Sequence, residues 1–223
     1  MMNNTQGVVY SKYDGFAICG TNDSSVDNNA GLNITSSEIY IQNYFEDLPV
    51  KQIGKAAFRK NEIITKIHIP MNVEYMFYDA VAYCSNLEKV FFEEGSHLIY
   101  IYSGSIYYLN KLKYLHLPRT ISLVPANLSL GANYNFETLI YCGSAIFPSG
   151  TFMRANIANS IYCPKTIYVM QDYPSDNFGG CYNIKRLIQC DIMPPIPCNT
   201  VRNNNYGCNN LITFSYFSVF IFL

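Results

Sequence analysis

Apolar side chains return along this chain every 23 residues. Val50, Ile53, Ala57, Phe58, Asn61, Ile64, Ile67 and Ile69 are each matched 23 positions later, by Val73, Met76, Ala80, Val81, Cys84, Leu87, Val90 and Phe92. After a two-residue insertion a third copy reads Ile101, Ile106, Leu109, Leu112, Leu115 and Leu117. A looser fourth reads Val124, Leu128, Phe136, Leu139 and Tyr141. A unit this short cannot bury its apolar edge alone; it must stack on the next copy, so the period predicts a solenoid.

Within each unit one segment alternates with period two, as a strand does: Lys66–Ile69, Lys89–Phe92, Tyr114–Leu117 and Thr138–Tyr141. Stacked in register, these form a parallel ladder with Ile67, Val90, Leu115 and Leu139 pointing inward. Pro70 and Pro118 follow two of the strands, where a missing N–H ends pairing. Residues 55–61 and 79–85 are too short for ordinary helices and predict a single helical or 3₁₀ turn on the other side of the coil. Irregular coils follow, with strand-like segments at 166–169 and 186–189. Before the array, Leu32 and Ile34 read like Ile67 and Ile69. The expected organisation is a flexible entry over 1–31, an atypical capping coil over 32–49, repeats over 50–141, a C-terminal irregular cap over 142–190, and a linker with an apolar tail over 191–223.

The outward positions of the ladder are Lys66, His68, Lys89, Phe91, Tyr114, His116, Thr138 and Ile140. Aromatic groups beside cations on a rigid surface suit partner binding, so this row is the candidate contact face. His68 and His116 occupy the same coil position but stand two rungs apart with Phe91 between, roughly two strand spacings of 4.7–4.9 Å, too far for one metal. No metal site is assigned. Neither a Gly-x-Ser-x-Gly, a His-Glu-x-x-His, a Walker loop nor a dinucleotide fingerprint occurs, so the reading is non-catalytic and without cofactor.

Net charge is -1 and no run of five basic residues occurs, which excludes general attraction to nucleic acid. The eight cysteines, at 19, 84, 142, 163, 181, 190, 198 and 208, form no Cys-x-x-Cys. Cys84 sits at a buried repeat position. The six from Cys142 onward become disulfides if the chain is exported, although Cys142 and Cys190, following strands two rungs apart, are expected too distant, at roughly 9–10 Å, to bond directly. No export signal is visible at the start. The run from Leu211 to Leu223 would reach roughly 20 Å as a helix, short of a bilayer core of about 30 Å, and reads either as a membrane-associating tail or as a structural segment. Sequons at Asn3, Asn22, Asn33 and Asn127 become glycan acceptors only after export.

The stretch VKQIGKAAFRKNEIITKIHIP, from Val50 to Pro70, resembles the BspA-like leucine-rich repeat, and FFEEGSHLIYI, from Phe91 to Ile101, resembles that family's insertion after the strand. YCGSAIF and IYVMQDYPSDNFGG, closed by Cys190, are similar to the C-terminal section of BspA-like surface proteins of the trichomonad type. Asn61, Met76 and Val81 depart from the repeat's Cys, Ile and Phe, and Ser105-Ile106 replaces its Ala-Phe pair. The expected fold is α/β to mainly β: a short right-handed leucine-rich-repeat solenoid with a concave parallel sheet and irregular caps. What the resemblance implies is a cell-surface or secreted adhesin binding a protein or glycan ligand on a host cell, matrix or other microbe. The alternative is an intracellular interaction scaffold with reduced cysteines.

Overall fold

The computed structural model describes residues 6–20, 34–124, 130–153 and 161–190. The expectations for Leu32, Leu128, Cys198, Cys208, the four sequons and the run from Leu211 to Leu223 lie outside these residues. Among them no helix is present, and none is therefore long and apolar enough to cross a membrane.

The strands in chain order begin with β1 (Tyr10–Tyr13), β2 (Phe16–Cys19), β3 (Glu38–Tyr40), β4 (Tyr44–Phe45) and β5 (Leu48–Ile53). The coils then supply β6 (Lys66–Ile69), β7 (Tyr75–Met76), β8 (Lys89–Phe92), β9 (Tyr100–Ile101) and β10 (Tyr114–Leu117). The last three are β11 (Thr138–Tyr141), β12 (Thr166–Met170) and β13 (Ile184–Leu187). Together they make a parallel β-solenoid of about five turns with two sheets. The longer sheet runs β3-β6-β8-β10-β11-β12-β13, parallel throughout. In the shorter one, β2, β5, β7 and β9 are parallel, with β1 and β4 added antiparallel to β2 and β5.

The 23-residue period produces this stacking. Ile39, Ile67, Val90, Leu115, Leu139 and Ile167 register one behind another along the longer sheet and all are buried. Ile53, Met76 and Ile101 do the same along the shorter sheet. The four array strands have the expected bounds. Two expectations at the ends are corrected. At the N-terminal side the strand is Glu38–Tyr40, and Ile39 rather than Ile34 takes the spine position opposite Ile67. The last strand begins at Ile184, two residues early, because the Asn183 side chain donates to the Pro164 carbonyl and the Ile167 N–H donates to Asn183, which sets Ile184 against Ile167.

The helical part of the expectation also fails. Residues 55–61 and 79–85 are turns, and residues with positive φ recur in them and in the following coil: Ala56, Asp79 and Gly104 at one position, Lys60, Tyr83 and Tyr108 at another. Such left-handed residues interrupt helical hydrogen bonding and turn the backbone groups along the stack. The N–H groups of Ala56, Phe58 and Lys60 therefore donate to carbonyls of Tyr78, Ala80 and Ala82 one coil on, at 2.8–2.9 Å. Gly104 has φ +71, and a Cβ there would also meet the end of the Asp79 side chain.

The departures from the repeat are satisfied in place. Ser105, fully buried, has its Oγ 2.7–2.9 Å from the carbonyl oxygens of Met76, Phe77 and Tyr102. Asn61 accepts from the Ile63 and Ile64 N–H groups, and the buried Cys84 thiol donates to the Phe58 carbonyl. At the N-terminal side of the longer sheet, Gln6 stands in for a strand: its Oε1 accepts from the Tyr40 N–H at 3.0 Å and its Nε2 donates to the Glu38 carbonyl at 3.1 Å. A single side-chain amide thus reproduces one peptide's worth of ladder.

Beyond β11 the interior is aromatic. Phe178 stacks on Phe147 at 4.1 Å and meets Tyr141, Tyr173 and Phe152 at 5.7–6.2 Å. The phenols are tied down: Tyr141 donates to the Ile121 carbonyl and accepts from the Ala145 N–H, and Tyr173 accepts from the Phe147 N–H.

Candidate binding face

Strand alternation sends every second side chain of the longer sheet outward, and the register sorts them into two rows. One row reads Glu38, Lys66, Lys89, Tyr114, Thr138 and Thr166; the other reads Tyr40, His68, Phe91, then Ile140, Tyr168 and Lys185, with His116 on the intervening strand.

In the second row three rings pile up. The His68 imidazole lies between Tyr40, 4.1 Å away with planes 8° apart, and Phe91, 4.6 Å away with planes 16° apart. The strand spacing of about 4.8 Å is close to the contact distance of flat rings, so parallel pairing alone brings side chains of this shape into a stack. Tyr40 is 54% and Phe91 40% exposed, which leaves the ends of the stack open to a partner.

Glu38 locks the stack. Its carboxylate accepts from Lys66 Nζ at 3.2 Å and from the Tyr40 hydroxyl at 3.1 Å, and sits 2.9 Å from His68 Nε2. Partial burial pulls the Glu38 pKa upward, but the hydrogen bonds from His68, Lys66 and Tyr40 outweigh it and hold the carboxyl below its usual value. Burial and the hydrogen bond to this carboxylate raise the Tyr40 phenol in turn. Further along, the Tyr114 hydroxyl donates to Glu137 at 3.1 Å, which raises its pKa, and Lys185 lies over the Tyr168 ring at 5.8 Å.

The expected face is thus divided. Lys66, His68, Lys89 and Phe91 are brought together on β6 and β8, and Tyr114, His116 and Thr138 continue outward on the next strands. Ile140 is corrected: it is 4% exposed and offers no contact surface. It registers between His116 and Tyr168, and an aliphatic chain between two longer ring-bearing neighbours is shielded on both sides. Glu38 and Tyr40 escaped the sequence reading, although Glu38-Ile39-Tyr40-Ile41 aligns directly with Lys66-Ile67-His68-Ile69; the similar alternation at Leu32 and Ile34 drew the register away.

The cysteines separate by region. Cys19 on β2 and Cys84 in the array are free and buried, and burial raises both thiols, Cys84 to about 12. Cys163 and Cys181, each three residues before its strand, are joined one rung apart with a Cα–Cα distance of 5.7 Å. Cys142 and Cys190 are each in the disulfide state.

Residues 31–129 match the BspA type leucine rich repeat region in six copies. No curated protein matches the chain. Among solved structures, a leucine-rich repeat protein from Bacteroides capillosus ATCC 29799 is 22% identical over 61% of this chain and 94% of its own, with a TM-score of 0.48. The leucine rich repeat protein of T. pallidum is 12% identical over 81% and 89%, with a TM-score of 0.47. A leucine rich cell surface protein from Faecalibacterium prausnitzii A2-165 is 13% identical over 73% and 53%, with a TM-score of 0.43.

Proposed function

Residues 31–129 are a BspA-type leucine-rich-repeat region, and from this premise we propose that the chain is a non-catalytic, surface-displayed adhesin that binds a protein ligand through the outward rows of its longer sheet. The single observation that carries this reading is the exposed Tyr40–His68–Phe91 stack. Its rings are held in place before any partner arrives, by each other and by Glu38, so binding costs little side-chain ordering, and aromatic anchors of this kind dominate protein interfaces. Lys89 beside them favours a ligand with an acidic group.

The oxidised cysteines of the C-terminal coils favour display over the intracellular scaffold, since disulfides persist in oxidising compartments. Surface labelling of intact source cells with an impermeant biotin reagent, followed by thiol counting on the recovered chain, tests this. Labelled protein with oxidised cysteines is expected; protection from label with eight free thiols would sink the proposal. For the face itself, beads coated with the chain should adhere to a film of matrix proteins, and Phe91→Ala or Tyr114→Ala should weaken adhesion with little change in melting temperature. Adhesion indifferent to both substitutions would remove the face from the mechanism.

A further inference from the structure

The shorter sheet carries an aromatic patch of different chemistry. Its outward row reads Gln52, Tyr75, Tyr100 and Leu123 in register, one side chain per coil. One residue past β7 and β9, Phe77 stacks on Tyr102 at 4.6 Å with planes 13° apart. Tyr100 and Tyr78 meet the Tyr102 ring edge-on at 4.4 and 4.9 Å, and Tyr75 lies 6.4 Å from Phe77. Five rings and four phenols therefore share one surface, with Tyr78 half exposed and the others partly so.

The patch carries no formal charge of its own. Lys51 and Glu74, beside it on the sheet, neutralise each other at 2.8 Å. Burial and the neighbouring phenols Tyr100, Tyr78 and Tyr75 raise the pKa of Tyr102, which favours its neutral form. This contrasts with the longer sheet, whose outward rows carry Lys89 and Lys185 as well as the Glu38–Lys66 pair.

We infer that this patch is a second binding site, and that its ligand is an uncharged linear polysaccharide. The absence of charge complements a neutral partner, since a charged one would lose its hydration without a counter-charge in return. The phenols offer donors and acceptors to sugar hydroxyls, while the ring bodies offer apolar surface to the sugar C–H groups. The one-dimensional repetition selects a polymer: Tyr75 and Tyr100 present the same group one strand spacing apart, which suits a ligand built of like units and not the irregular surface of a globular protein.

The site is independent of the protein-binding face, and the two fail separately. Affinity electrophoresis of the full chain through gels containing soluble dextran, a soluble β-glucan or heparin supplies the test. Retardation is expected in a neutral gel. Tyr100→Ala should weaken it about tenfold or more, the loss expected for one aromatic anchor, and Phe91→Ala should leave it unchanged. Should Tyr100→Ala fail to fold, Tyr78→Ser alters an exposed ring and should still reduce retardation. No retardation in either neutral gel, retardation by heparin alone, full retardation of both tyrosine variants, or equal loss with Phe91→Ala would each overturn the inference.

Discussion

The array coils and the end coils solve the same problem with different materials. From β6 to β10 the interior is aliphatic, with Ile67, Val90 and Leu115 in line, and the coils hydrogen-bond to one another through both sheets and the turns. From β11 onward the spine spacing slips, from 24 residues between Leu115 and Leu139 to 28 between Leu139 and Ile167, then 17 to Ile184. Unequal coils leave unequal interior space. There Tyr141, Phe147, Phe152, Tyr173 and Phe178 fill it, phenol hydroxyls pin the larger rings, and a disulfide joins adjacent rungs. Regular repetition lets small side chains suffice; where repetition is lost, bulk, buried hydrogen bonds and covalent linkage take over.

The sharpest way to break this contrast is Phe178→Ala, which should cost about 3–5 kcal/mol because four aromatic neighbours lose their common contact. Leu115→Ala in the array should cost about 2–5 kcal/mol, nearer the low end, since one rung of the spine is cut while its neighbours persist. Urea denaturation of both variants measures the difference, and a larger loss for Leu115→Ala would reverse the contrast. Replacing Cys163 and Cys181 together by Ser should cost about 3 kcal/mol by freeing a loop of 18 residues in the unfolded chain. An unchanged denaturation midpoint would show that the Cys163–Cys181 bridge adds nothing to the packing of the end coils.

The smallest effect concerns Glu38 at the opposite end. Its carboxyl pKa is depressed in the folded state, so its stabilisation is present above the ordinary carboxylate value of about 4.3 and is lost as pH falls through the folded value. Glu38→Gln should therefore lower stability at neutral pH by under about 1 kcal/mol, because the carboxylate is 33% exposed, and the deficit should vanish in acid. A deficit that persists in acid, once the Glu38 carboxyl is protonated, would mean that packing, not ionisation, explains the loss.

The array was legible because a fixed period and strict alternation report the same backbone twice: β6, β8, β10 and β11 begin and end where their apolar residues say. The turns were not, since nothing in a side chain such as Tyr83 or Lys60 announces a left-handed backbone that only the neighbouring coil's carbonyls reward. The face was half legible. Alternation named Lys66, His68 and Phe91, but whether an outward residue stays exposed depends on its flanking rungs, which is why Ile140 was misread. Glu38 and Tyr40 required the capping coil's register, and two competing apolar pairs obscured it.

Nothing in a stack of like rungs limits its own length, and an uncovered β3 would be a template onto which another molecule's strand could add. Gln6 answers two of β3's outward hydrogen-bonding groups, the Tyr40 N–H and the Glu38 carbonyl, with an amide that has no onward chain direction. The protein thereby carries a chain terminator at that edge, one side chain long, which lets it expose a repetitive scaffold to its surroundings without seeding a fibre from that end.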